Sequence, residues 1–170
     1  AVLALMDVNA AGLKLLLLDD APNQNGAWDA GFAPGFGPGY AKVEAPRGSR
    51  AAVLKAVADG TLDGVVLFNS GRPWTFSPDV AAAVGKAGTR VVFDLLPNPL
   101  AAGARVLFPT PAMAELDGTL TAADHRVLLL RRAVPGPEGL WHPAAVLARA
   151  ERLAGGATRA GSPVDVFRDL

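Results

Sequence analysis

The 170-residue sequence contains no cysteine. That excludes disulfides, thiolate nucleophiles, Cys-ligated zinc and Cys-ligated iron–sulfur clusters within the chain. A charge excess of either sign is also missing: 16 basic residues balance 16 acidic ones. A general nucleic-acid binder needs a basic face that displaces counterions from phosphates, and this composition does not supply one. Aromatics are scarce, at 6%. Long hydrophobic runs are absent. The purest, residues 15–18, falls far short of the roughly 20 residues of a membrane-spanning helix. The apolar start over residues 1–6 has no basic n-region, so it does not read as a signal peptide. A start at Ala-Val-Leu without Met is expected of a processed chain or of a piece of a longer one.

What is present is apolar but small. Apolar residues make up 51% of the chain, which is ample for a core and argues against disorder. There are 33 Ala, 19 Gly and 14 Pro, so backbones are expected to pack closely and many segments to be loops. The length favours one domain with a small appendage.

Short apolar runs bounded by turn residues read as strands over residues 13–18, 64–68, 90–93, 105–108 and 127–130. The first four lack polar alternation, which suits strands buried on both faces of a parallel sheet. Residues 49–58 read as a helix with Val53, Leu54 and Val57 at helical spacing and Gly60 as a stop. Residues 78–86 follow Ser77 as N-cap, with Pro78 at the first helical position. The alternation of strands and helices predicts βαβ units, and so an α/β fold with a parallel sheet flanked by helices, doubly wound and Rossmann-like. A small strand and helix extension closes the chain. Within it, Pro143–Leu153 is an amphipathic helix with Val146, Leu147, Ala150 and Leu153 on one stripe, and Ser162-Pro163 opens a final short helix. The expected boundaries are residues 1–135 for the α/β domain and 136–170 for the helical extension. Polar groups follow the expected strands at Asp19-Asp20, Asn69-Ser70-Gly71 and Asp94, the edge where open α/β sheets bind ligands.

No catalytic constellation stands out. Residues 21–40 read as a twenty-residue loop with little regular structure, a length that points to binding or to packing on a neighbour. Gly35, Gly37 and Gly39 superficially match a dinucleotide fingerprint. Pro38 interrupts the triplet, and no helix follows to place its N-terminus on a phosphate. Asn69-Ser70-Gly71 lacks the glycine pattern of a nucleophile elbow. His125 and His142 are expected as surface or packing residues, because a zinc site needs three or four converging ligands. Glu115 and Asp117 fit a loop or cap role better than an acid/base pair, and Arg131-Arg132 a solvated strand end.

The order of short motifs carries more information. Asn23-Gln24-Asn25-Gly26-Ala27-Trp28-Asp29-Ala30-Gly31, with the later Pro38-Gly39-Tyr40, resembles the Asn-x-x-Gly-Ala-x-Asp-Met-Gly loop and Pro-Gly-Tyr of the molybdopterin-dependent oxidoreductase superfamily. Residues 62–73 resemble that family's strand and turn at the cofactor edge. Residues 90–94 resemble its next strand with a terminal Asp, and residues 104–109 its Ala-Asp-Val-Val-Leu-Pro strand. Glu115-Leu116-Asp117-Gly118-Thr119-Leu120-Thr121 resembles Glu-x-Asp-Gly-Thr-x-x, and Arg126 falls on the Arg that follows. Trp141 and the helix after it resemble a Trp-plus-helix segment. The motifs cover roughly residues 5–155 and are most similar to the C-terminal part of the large iron–sulfur subunit of bacterial respiratory complex I, NADH-quinone oxidoreductase.

The departures matter too. Asn98-Pro99-Leu100 replaces the family's Thr-Glu-Thr, Arg105 its strand Asp, Ala122 an Asn and Leu128 a Gln. These changes remove hydrogen-bonding groups that a buried polar cofactor would need. The resemblance therefore implies a non-catalytic scaffold region with no catalytic residue, no metal and no cofactor of its own. Asn25, Gly26, Asn69, Asp94 and Arg126 would be the remnant of a pterin-binding edge. The parent complex would carry iron–sulfur clusters and FMN elsewhere. Implied partners are the rest of the same subunit and neighbouring peripheral-arm subunits, without nucleic acid or direct membrane insertion. The implied location is cytoplasmic, peripheral to the cytoplasmic face of the inner membrane. One alternative is a fragment of a catalytic molybdopterin enzyme such as a formate dehydrogenase, with the same five residues holding molybdopterin. Another is a free-standing small-molecule or nucleotide-binding module using residues 19–26 and 69–74.

Overall fold

The computed structural model describes residues 22–44, 48–69 and 78–157. The strand expected over residues 13–18, the helix expected after Ser162-Pro163, Ser70 and the Ser77 cap lie outside the described residues. The chain divides into two compact units. One comprises Ala1–Arg47 with Thr119–Leu129, and the other Gly48–Gly118 with Leu130–Leu170.

In the first unit, α1 (Gln24–Asp29) is followed by a 3-10 turn at Pro38–Tyr40. The loop expected over residues 21–40 thus contains a short helix. Gly31 makes its tight packing possible. Its φ is +87°, and a Cβ there would lie 2.7 Å from the Pro38 nitrogen. Strands β4 (Gly118–Thr121) and β5 (Val127–Leu130) form a two-stranded sheet, nearly all of it in this unit. The Ala122 amide donates to the Arg126 carbonyl at 2.9 Å to close the connection, and so short a connection makes the pair an antiparallel hairpin. His125 sits in this turn with φ +61°. The sequence pattern predicts only a turn ahead of β5, so β4 is an addition from the structure.

The second unit holds α2 (Arg50–Ala58), β1 (Gly64–Phe68), α3 (Pro78–Gly85), β2 (Thr89–Asp94), β3 (Val106–Pro109) and α4 (Pro143–Leu153). The three strands form a parallel sheet in the order β1-β2-β3. β3 lies one residue later than expected, with Pro109 paired to Asp94. Ser49 caps α2 by accepting from the Ala52 amide at 3.2 Å, which satisfies one orphan donor of the first turn. Val80, Val84 and Leu100 form the buried core, with Leu54, Val65, Leu67 and Ala81 packed against it.

Burial on both faces is realised only in the central strand. Val92, Phe93 and Asp94 of β2 are buried, whereas β1 alternates, with Val66 56% and Phe68 52% exposed. The reason is position: α2 and α3 cover the face bearing Val65 and Leu67, and β1 is an edge strand among the described residues. On the opposite face the register aligns Phe68, Phe93 and Phe108 across the three strands. Their rings stack at centroid separations of 4.6 and 4.8 Å. The architecture is therefore mixed α/β with a three-stranded parallel sheet and helices. No helix among the described residues is long and apolar enough to cross a membrane.

Candidate functional site

The five candidate residues fall into two groups. Asn69 and Asp94 sit at the C-terminal ends of β1 and β2 in the second unit. Parallel pairing brings these ends together: the Asn69 amide donates to the Phe93 carbonyl at 2.9 Å, and the Thr110 amide to the Asp94 carbonyl at 2.8 Å. Asp94 is 2% exposed, and its carboxylate is fully engaged. Oδ2 accepts from Asn69 Nδ2 at 2.7 Å and also from Asn98 Nδ2. Oδ1 accepts from the Leu95 amide at 2.7 Å. Asn98 completes the cluster, because its Oδ1 accepts from the Leu100 amide at 2.7 Å and the Ala101 amide at 3.2 Å. A buried carboxylate needs such donors, since an unpaired one would cost several kcal/mol, on the order of 3 or more. The cluster locks the turn after β2 and delivers Leu100, 3% exposed, into the core.

Asn98 and Leu100, which depart from the motif that the neighbouring sequence resembles, are thus structural in this chain. The sequence pattern does not mark Asn98 as a site residue. Its position four residues beyond Asp94 in a Pro-rich turn is the available signal.

Asn25, Gly26 and Arg126 belong to the first unit. Asn25 Nδ2 donates to the Ala122 carbonyl at 2.9 Å. Its neighbour Asn23 accepts at Oδ1 from the Thr121 amide at 2.8 Å. The two asparagines therefore bind α1 to the end of β4, and Asn23 is a second site residue that the sequence pattern leaves unmarked. Gly26 is required beneath Asn23, because a Cβ at Gly26 would overlap Asn23 Oδ1. Arg126 pairs through Nε with Asp124 Oδ2 at 2.6 Å. Its side-chain hydrogen bond, together with the backbone bond from its amide, holds the Asp124 carboxyl below the usual carboxylate range.

Other residues flagged in the sequence have backbone roles. Glu115 Oε2 accepts from the Ala112 amide at 2.8 Å, and Asp117 Oδ1 from the Arg132 amide at 3.1 Å. Both match the expected loop and cap role. His142 caps α4, with Nδ1 accepting from the Ala144 amide at 3.1 Å, and burial pushes the imidazole below its ordinary value. Gly35 and Gly39 have φ of +82° and +63° and shape the turns around Pro38. Among the described residues, no group of three or more His, Asp or Glu side chains is placed to hold a metal ion.

The geometry defines a mixed α/β protein whose polar strand ends are cross-linked to its own backbone. No family model matches the chain, and no curated protein matches its sequence.

Proposed function

We propose that the chain is a non-catalytic scaffold region of the large iron–sulfur subunit of NADH-quinone oxidoreductase. In this reading its sheet belongs to a doubly wound, Rossmann-like layer. The chain packs on the rest of its subunit and on neighbouring peripheral-arm subunits, at the cytoplasmic face of the inner membrane. Clusters and flavin belong to other parts of the complex. The observation that carries the proposal, beside the motif resemblance, is the engagement of Asp94. Both its carboxylate oxygens are taken by Asn69, Asn98 and the Leu95 amide. A pterin edge would present such groups to a ligand, whereas this one uses them to hold its own turn. The donor set therefore fits a pterin poorly, and the five residues are read as a remnant edge.

The test is elemental and cofactor analysis of the natural protein that carries this chain, with identification of the proteins that co-purify. The expected outcome is iron in the assembled complex, no molybdenum or pterin, and quinone-reductase subunits in the same particle. Stoichiometric molybdenum, or a protein isolated without any of those subunits, overturns the reading.

A further inference from the structure

The apolar stripe of α4 does not close against a core. Val146, Arg149, Ala150 and Leu153 form one wall of a half-open groove of about 470 Å³, and Phe108, Pro109 and Trp141 line much of the remainder. The wall spacing of three, one and three residues is one helix face. Trp141 is 55% and Leu153 79% exposed. Arg149 is the one charged residue in the lining. Like most of the described basic residues it has no carboxylate partner among the described residues, so its donors are open to a ligand.

We infer that this groove binds a small amphiphilic anion, with an apolar chain or ring system along Phe108, Trp141, Val146 and Leu153 and a single acidic head on Arg149. Three features select this class. The volume lies in the range of small-molecule sites, about 300–1,000 Å³. The lining is apolar except for one guanidinium, so an acidic head adds a charge-assisted contact that a neutral chain cannot make. A planar guanidinium takes a carboxylate or sulfonate through two parallel N–H donors, which fixes the head at one end of the groove. The inference goes beyond the scaffold reading and does not depend on it.

Dodecanoate is the probe, titrated calorimetrically below its micelle concentration into the natural protein that carries the chain. Dodecanol serves as the uncharged comparison. Saturable one-to-one binding of dodecanoate is expected, weakened about tenfold by Arg149→Gln, the loss typical of one charge-assisted contact. Dodecanol binding is expected to be unchanged by Arg149→Gln and lost in Leu153→Glu. Both positions are solvent-exposed, so neither variant threatens folding, and unchanged thermal unfolding checks this. No saturable binding, or equal dodecanoate affinity in Arg149→Gln, overturns the inference. So does a groove inaccessible in the assembled protein because a neighbouring subunit covers it.

Discussion

Two residues show how much of this structure depends on single polar contacts. Asp94→Asn preserves shape but turns one acceptor oxygen into an NH₂ group facing the donors of Asn69, Asn98 and the Leu95 amide. At least one buried donor then loses its acceptor. The expected cost is roughly 2–3 kcal/mol, measured as a shift in the urea unfolding midpoint. If Asp94→Asn unfolds with the parent chain, the cluster contributes nothing to stability. Gly26→Ala acts through its neighbour. The new Cβ cannot share space with Asn23 Oδ1, so Asn23 must leave the Thr121 amide. A loss of about 1–2 kcal/mol follows from the broken bond. It should appear as faster hydrogen exchange at the Thr121 amide, with no change at Leu95. This localisation separates the two contributions, because the clusters lie in different units.

At the scale of elements, α4 carries a pH-dependent cap. His142 Nδ1 can accept from the Ala144 amide only when unprotonated, and burial favours that same neutral form. Its folded-state pKa is therefore lowered from the ordinary 6.5. A depressed folded value gives stability that is complete above the unfolded pKa and is lost as pH falls through the lowered one. The cap should hold at pH 7.5 and weaken progressively below about 6.5, with a full loss of roughly 1 kcal/mol. Exchange of the Ala144 and Ala145 amides between pH 7.5 and 5 measures it. His142→Asn, a capping residue without a titrating proton, should abolish the pH dependence. The elements also show how much is legible from local pattern. β1 and β2 are readable because Gly64, Asn69 and Asp94 bound compact apolar runs, and α2, α3 and α4 because Ser49, Pro78 and Pro143 mark their starts. By contrast α1, Gln-Asn-Gly-Ala-Trp-Asp, has no apolar period and no buried residue. It is held by Asn23 and Asn25 across 98 and 97 residues of chain, a distance no local pattern can encode. β4 escapes for a related reason: four residues of Gly-Thr-Leu-Thr become a strand only by pairing with β5. The candidate edge is half legible. Asn69 and Asp94 do meet, as strand-end residues of a parallel sheet should, but Asn98 enters through a turn whose course depends on the core position of Leu100.

For the molecule as a whole, the balance of charge and exposure bears on association. The formal net charge is zero, so no long-range repulsion keeps copies apart. The sheet face opposite α2 and α3 is apolar and partly open: Val66, Phe68 and Val106 are 56%, 52% and 39% exposed around the Phe93 ring. Among the described residues only β2 pairs with β1, which stands at the edge of the described sheet. An open apolar face beside an edge strand favours self-association, and natural proteins suppress this with lysine at such positions. The isolated chain is therefore expected to form dimers or larger species reversibly at micromolar concentration. Val66→Lys with Val106→Lys should shift it toward monomer. These positions flank the phenylalanine stack without belonging to it, since the register sets Val66, Val91 and Val106 in one row and Phe68, Phe93 and Phe108 in the next. The stack and its contribution of about 0.5–1.5 kcal/mol per ring pair stay intact, so the change should cost little stability. Sedimentation velocity across a hundredfold concentration range measures the outcome. Association undiminished in the double variant would place the adhesive surface elsewhere. Monomer at all concentrations in the parent chain would mean that the open face does not drive self-association.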